Sequence, residues 1–408
     1  MKTIWQTKNL DEVCDFARGL TYSKKDEVDT SSNIVLRATN VDLKNNLLNF
    51  SELKYINDEI FIPENKKVRK GALLICTASG SKKHLGKIAL IDNDLDYAFG
   101  GFMGQLTPHK NLDSKYFFYN LISDNYKNFI DKLSSGVNIN NLKFSDLKNY
   151  RIFLPPLPEQ KRIVKILDDA FEKIAEAKTN AEKNLQNSKE LFESYLQNIF
   201  ASGGDDWEEK RFEEIVESNV IGLVKNTKEQ SADKEYKYLK MNNITRDNKL
   251  DLSKYVRVNA LQSEVEKYSL NENDFLFNTR NSYELVGKTC IFEGDEKESV
   301  LFNNNIMRVR FNKKIDSRFI NYAFSSKVII DKISFLKSGT TNVSAIYYKN
   351  LKNLILLIPS LKTQKQIVAK LDQLSAETKK LERIYQQKID SLNELKKSIL
   401  AKAFAGKL

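Results

Sequence analysis

From Ile367 onward the apolar positions advance in steps of four and three, through Leu371, Leu374, Leu381, Tyr385, Leu392, Leu395 and Ile399; only Thr378 and Lys388 break the series of ten. Lys, Glu and Gln crowd the flanking sites. This rhythm predicts a long helix with a coiled-coil seam and a solvated outer face. An earlier segment repeats it through Ile163, Leu167, Ala170, Ile174, Ala177 and Ala181, where alanines permit close approach. Each segment runs on the order of 40 residues without Gly or Pro, so at about 1.5 Å per residue each helix extends roughly 60 Å. A stripe that long has to be buried on a partner. The simplest partner is the other copy in the same chain, packed antiparallel. Pro158 suits a first helical turn, and Gly203-Gly204 and Gly406 stop the two helices.

Ahead of each helix the pattern shortens. ALLIC (72–76), KIALI (87–91), DFLFN (274–278), MRVRF (307–311) and LILLI (354–358) read as strands. SKYFFYNLISDNYKNFIDKL (114–133) and SRFINYAFSSKVIIDKISFL (317–336) read as helical, each followed by Ser-Gly and a polar turn. The class is α+β: two α/β domains, each followed by a long helix, the helices pairing as an antiparallel coiled coil with pseudo-two-fold symmetry.

The pairing of segments is a true internal repeat. PPLPEQKRIVKILD (155–168) matches PSLKTQKQIVAKLD (359–372) at an offset of 204, and LFESYLQNIFA (191–201) matches LKKSILAKAFA (395–405) at the same offset. Upstream the offset drifts between 201 and 204 while the order holds: Trp5 with Trp207, VLRATNV (35–41) with YLKMNNI (238–244), Gly86-Lys87 with Gly287-Lys288, Ser135-Gly136 with Ser338-Gly339. Loops of variable length between retained strands give this behaviour. The boundaries fall at 1–154, 155–202, 203–358 and 359–408.

Composition narrows the function. The 408 residues are 41% hydrophobic and carry 65 Lys+Arg against 54 Asp+Glu, a net charge of +11, which favours an anionic partner and nucleic acid first. Cys14, Cys76 and Cys290 are far apart, without CxxC spacing, and the only histidines are His84 and His109, so neither a disulfide framework nor a metal site is indicated. No secretion signal and no run of 18 apolar residues is found, and the expectation is a soluble cytoplasmic chain. Catalytic signatures are incomplete. Gly80 to Lys87 has one residue too many for a phosphate-binding loop, and Gly287-Lys288-Thr289 has Ser282 where the first glycine belongs. Leu154-Pro155-Pro156-Leu157 lacks the flanks of an amino-methyltransferase turn, and Phe99-Gly-Gly-Phe-Met-Gly104 reads as a close-packed strand turn.

At the pattern P-L-x-x-Q-[KR]-x-I-V, present as Pro156-Leu157 through Val164 and, with Ser360 in place of the first proline, through Val368, the chain resembles the specificity subunits of Type I restriction-modification systems. The resemblance covers essentially the whole chain. It implies two target-recognition domains held apart by the helical pair, reading a bipartite double-stranded DNA sequence, with helix length acting as a ruler. It also implies docking of two modification subunits and of restriction subunits. S-adenosylmethionine, ATP and Mg would be used by those partners, with no cofactor bound and no catalysis performed by this chain. Two alternatives stand beside this reading. One is a coiled-coil adaptor that binds no DNA, and the other a target-recognition subunit of a different split methyltransferase-nuclease.

Base readout needs forked donors and acceptors on strand-bounded loops. The residues that answer this are Thr77, Ser79, Gly80, Lys82, Lys83, His84 and Lys87 in the first half, and Asn278, Thr279, Arg280, Asn281, Tyr283 and Lys288 in the second. Arg suits guanine O6/N7 and Asn suits adenine N6/N7. A second pair of loops adds Asn138 and Asn140, and Thr340, Thr341 and Asn342.

Overall fold

The computed structural model describes residues 5–43, 45–81, 84–134, 141–294 and 298–408. The chain divides into two compact units, residues 1–182 with 387–408 and residues 183–386.

In the first unit, β1 (Gln6–Asn9) pairs with β10 (Arg151–Leu154), bringing the two ends of the globular part together. A four-stranded antiparallel sheet has the order β2 (Cys14–Arg18), β9 (Met103–Pro108), β6 (Leu73–Cys76), β7 (Ile88–Leu90). A second sheet runs β3 (Glu27–Val28), β5 (Lys54–Ile56), β4 (Asn33–Leu36), β8 (Ala98–Phe99), the last pair parallel. Every residue of β6 is buried, which is why ALLIC lacks alternation: it is covered on both faces. One cover consists of α1 (Ser114–Leu121) and α2 (Asp124–Ser134), followed by the short α3 (Phe144–Leu147). The Asp113 carboxylate caps α1 by accepting from the Lys115 and Tyr116 amides, each at 3.0 Å.

The second unit repeats this order. β11 (Glu208–Arg211) pairs with β22 (Ile355–Ile358), and the main sheet is β12 (Val216–Ile221), β19 (Ile306–Phe311), β15 (Phe275–Asn278), β17 (Thr289–Ile291). The lesser sheet is β14 (Val256–Val258), β13 (Tyr236–Leu239), β18 (Val300–Phe302). A further small sheet, β16 (Arg280–Asn281), β21 (Ser344–Ala345), β20 (Ser338–Gly339), has only an isolated bridge, Ala78 to Asn141, as its counterpart among the described residues of the first unit. The helices here are α5 (Phe212–Ile215), α6 (Gln262–Tyr268), α7 (Ser317–Ser325), α8 (Lys327–Ser334) and α9 (Tyr348–Leu351). Asp316 caps α7 as Asp113 caps α1.

The two long helices are α4 (Leu157–Ser202) and α10 (Leu361–Phe404). Gly203 and Gly406, at φ +61° and +66°, end them in the left-handed conformation that glycine adopts without strain. Within the first unit Ile163, Val164 and Leu167 share a core with Leu400, Ala403 and Phe404, and Lys178 Nζ donates to Asn393 Oδ1 at 3.1 Å. Within the second, Leu196 and Phe200 share a core with Val368 and Leu371. In both units, then, the start of one helix lies beside the end of the other, an antiparallel pairing.

On α4 the buried positions include Ile163, Leu167, Ile174 and Ala181, with Ala170 and Ala177 half-buried. On α10 the seam is displaced by one residue from the expected one at 367, 388 and 399. Leu371 is buried, and Ile367, Leu374, Tyr385, Leu392 and Ile399 are half-buried, but Leu381 and Leu395 are 37% and 47% exposed. Val368, Thr378, Ile389, Leu400 and Ala403 are buried instead. Adjacent apolar pairs, Ile367-Val368 and Ile399-Leu400, make the sequence fit two registers, and packing against the domain cores selects the second of each pair. Thr378 joins the seam because its hydroxyl donates to the Leu374 carbonyl at 2.9 Å, leaving only its methyl group to pack.

Each helix is locked to the domain before it by a fully buried glutamine. Gln160 Oε1 accepts from the Asp113 amide at 2.8 Å, and its Nε2 donates to the carbonyls of Asn111 and Pro155 at 2.9 and 2.7 Å. Gln364 does the same with Asp316, Lys314 and Pro359 at 2.8, 3.1 and 2.9 Å. About two turns further on, Asp168 accepts from Tyr119 Oη and Lys115 Nζ, and Asp372 from Tyr322 Oη and Arg318 Nη2. Burial and the neighbouring carboxylate raise both phenols, so the tyrosines stay protonated donors.

Replacing Gln160 by Leu strands one buried N–H and two carbonyls at each loss of roughly 1–3 kcal/mol. Gln160→Leu and Gln364→Leu should each lower stability in urea titration by about 2–4 kcal/mol. A variant as stable as the parent would show that the glutamine does not lock the helix.

Candidate nucleic-acid interface

The second unit assembles its two candidate loops into one surface. Arg280 and Asn281 of β16 pair with Ala345 and Ser344 of β21, which pairs in turn with Ser338 and Gly339 of β20. The Tyr283 amide donates to the Thr341 carbonyl at 3.0 Å, and the Ile346 amide to the Thr279 carbonyl at 2.9 Å. Residues more than fifty positions apart thereby form a single platform. Its outward side chains are Arg280, Tyr283, Thr340, Thr341 and Asn342, all exposed.

Several of the expected contacts are instead part of the frame. Asn278 is fully buried: its Nδ2 donates to the carbonyls of Arg280 and Asn305 at 3.1 and 3.0 Å, and its Oδ1 accepts from Asn281 Nδ2 at 2.9 Å. Its amide is therefore committed, and a base edge would have to displace these bonds. Thr279 is buried too, its amide donating to the Asn305 carbonyl at 2.8 Å. Asn281 is half-buried in the same network. Lys288 points inward, donating to the carbonyls of Ile244 and Met241, and burial lowers its affinity for the proton.

The first unit shows the same division. Thr77 is buried, with its amide and hydroxyl donating to the Phe102 carbonyl at 2.9 and 3.0 Å and its carbonyl accepting from the Leu142 amide at 2.6 Å. Lys87 is buried as well: Nζ donates to the Val41 carbonyl at 2.7 Å, and burial lowers its pKa. Ser79, Gly80 and His84 form the accessible part of this loop, with the His84 amide closing a turn on the Ser81 carbonyl. Lys82, Lys83, Asn138 and Asn140 lie outside the described residues.

The lysines went inward for a common reason. Each follows a left-handed glycine, Gly86 at φ +75° or Gly287 at φ +93°, that returns the chain into the main sheet. The next side chain is then carried under the loop of the smaller sheet, whose carbonyls lack strand partners and need a donor. The two Gly-Lys matches are thus strand-to-strand turns with no helix after them.

One residue outside the expected set shapes the platform. Lys337 Nζ donates to the Tyr283 carbonyl at 2.7 Å and lies 4.6 Å from the centre of the Tyr283 ring. Its ammonium, pushed down by partial burial, is engaged in holding the loop. Only the Ser-Gly that follows Lys337 signalled this place in the sequence.

The fold is a duplicated α/β domain on a pair of long helices, each unit carrying a polar loop cluster beside its main sheet. The model of the Type I restriction modification DNA specificity domain matches residues 3–185 and again residues 204–391, and the chain belongs to this family. As a specificity subunit it is the non-catalytic member of such a system. It is 27% identical over 419 residues to the EcoKI specificity subunit of Escherichia coli K12, covering 99% of this chain and 89% of that one. The StySPI specificity subunit of Salmonella potsdam is 27% identical over 423 residues, with the same coverage of 99% and 89%. Among solved structures, a chain from a type I R-M system studied for complex assembly and conformational transition superposes with a TM-score of 0.79 at 20% identity over 100% of both chains. The HsdS subunit from Thermoanaerobacter tengcongensis gives 0.65 at 20% identity, covering 99% of this chain and 97% of that one. Among the described residues no helix is long and apolar enough to cross a membrane.

The inward lysines and the outward arginine separate in a stability measurement. Lys87→Met and Lys288→Met, each orphaning buried carbonyls, should cost about 1–3 kcal/mol in urea titration. Arg280→Ala should stay within roughly 0.5 kcal/mol of the parent. Equal effects at the three positions would contradict the division into frame and reading surface.

Proposed function

We propose that this chain reads a bipartite double-stranded DNA target, one half-site per unit, within a cytoplasmic Type I complex. It docks two modification subunits, which use S-adenosylmethionine, and restriction subunits, which use ATP and Mg. The observation that carries the reading is the match between backbones and mismatch between side chains at the two loop clusters. The Thr77 carbonyl with the Leu142 amide repeats the Thr279 carbonyl with the Ile346 amide, yet Ser79 and His84 stand in one unit and Arg280 and Tyr283 in the other. Equal frames with unequal side chains suit two different half-sites. A coiled-coil adaptor would have no use for that difference. The net charge of +11 adds the sequence-independent attraction to phosphate.

The test is to bind the chain, together with its modification subunits, to a library of duplexes at fixed salt. Enrichment of one bipartite sequence is expected. Arg280→Ala should relax one position of one half-site by about 1–3 kcal/mol, the value of a bidentate arginine on guanine, and leave the other half-site unchanged. Enrichment of no sequence would leave the adaptor reading standing. Removing seven residues, two helical turns, from α4 should change the spacer or abolish binding; an unchanged spacer would end the ruler idea.

A further inference from the structure

The motif Phe99-Gly-Gly-Phe-Met-Gly104 builds a turn that sorts its large side chains. Phe99 and Met103 are buried in the core of the first unit, whereas Phe102 is 72% exposed. Gly104 is required by packing, since a Cβ there would fall 2.8 Å from the Phe144 ring. The turn is rigid: the Met103 amide donates to the Gly100 carbonyl at 2.8 Å. It is also joined to the candidate reading loop, because the Phe102 carbonyl receives the amides of Thr77 and Ala78 and the Thr77 hydroxyl. Phe61 and Phe335 are more exposed still, but neither shows a bond to a reading loop. In the second unit the residue in this place is Asn305, whose carbonyl receives the Thr279 amide at 2.8 Å and Asn278 Nδ2 at 3.0 Å. The same backbone device therefore carries an exposed phenyl ring in one unit and, in the other, a half-buried amide whose Nδ2 donates to Met241 Sδ at 3.7 Å.

We propose that Phe102 is a specificity-determining residue of the first unit that makes an apolar contact with the 5-methyl group of a thymine in the major groove. The proposal rests on the DNA-reading role put forward above. A phenyl group has no donor or acceptor, so within an intact duplex the base feature it can distinguish is the thymine methyl, the one apolar group on a base edge. Water-exposed aromatic surface is unfavourable, and covering it against a methyl group recovers part of that cost. Fixing the ring on a hydrogen-bonded turn lowers the ordering cost of the contact.

The experiment uses the full chain with its modification subunits and the duplex sequence that the parent selects. Each thymine is replaced in turn by deoxyuridine, which keeps base pairing and removes the methyl group. The parent should lose about four-fold in affinity at one thymine, the worth of one buried methyl-sized group. Phe102→Ala should bind the ordinary duplex more weakly and be indifferent to that methyl group, while Phe102→Leu keeps the sensitivity. An unchanged urea midpoint for Phe102→Ala shows that the exposed side chain is not needed for folding. Identical deoxyuridine profiles for the parent and Phe102→Ala overturn the proposal, as does a selected sequence without a methyl-sensitive thymine. If the parent selects no sequence at all, the DNA-reading role itself fails, and the library experiment reports that separately.

Discussion

One buried glutamine amide joins each α/β domain to the helix that follows it. A glutamine side chain offers one acceptor and two donor hydrogens, and Gln160 and Gln364 spend all three on the backbone where the domain's last strand gives way to the helix. The acceptor bond reaches the amide of the capping aspartate, Asp113 or Asp316, so it also fixes the start of α1 or α7. An apolar residue would fill the space without a direction. An amide allows one orientation, because buried donors and acceptors left unmatched are costly. The aspartates at 168 and 372 add a second attachment along the helix, and with two points fixed the helix cannot rotate about either. The direction in which each long helix leaves its domain follows from these few groups.

The duplication has been kept where geometry is set and altered where a ligand would touch. The Gly-Lys turns, capping aspartates, glutamines and backbone bonds under the loops occur twice in the same roles. Side chains above those bonds differ freely. Lys87 and Lys288 illustrate the rule from the inside: a positively charged residue in a basic protein is drawn under the loop to satisfy carbonyls, and its charge goes to the frame.

The repeat, the helices and the order of strands were legible in the sequence because each leaves a periodic or duplicated trace. The glutamines were visible as part of the motif, though not as a lock, since their partners are backbone groups about fifty residues upstream. The seam of α10 was read one residue off at Ile367 and Ile399, because hydrophobicity alone does not choose between neighbouring apolar positions such as Ile367-Val368 and Ile399-Leu400. The loops were harder. Composition marks Asn278, Thr279, Lys87 and Lys288 as polar, but whether a polar group faces solvent or an unpaired carbonyl depends on the strand that closes over it. Lys337 joined Tyr283 only through the pairing of β16, β21 and β20, and Phe102 looked like any core aromatic until the turn set its direction.

The first compact unit is not a continuous stretch of chain, whereas the second is. Leu400, Ala403 and Phe404 belong to the core around Tyr116 and Phe117, and Gly406 lies against Trp5. During synthesis those residues leave the ribosome after all of residues 183–386. The globular part made first must therefore wait, with an apolar face uncovered, for the part made last. The second unit, whose segments are translated together, has no such delay. Folding in the cell thus runs against the order of the gene: the unit encoded first is the one completed last, and it stays open to chaperones, or to aggregation, for the time needed to translate the remainder.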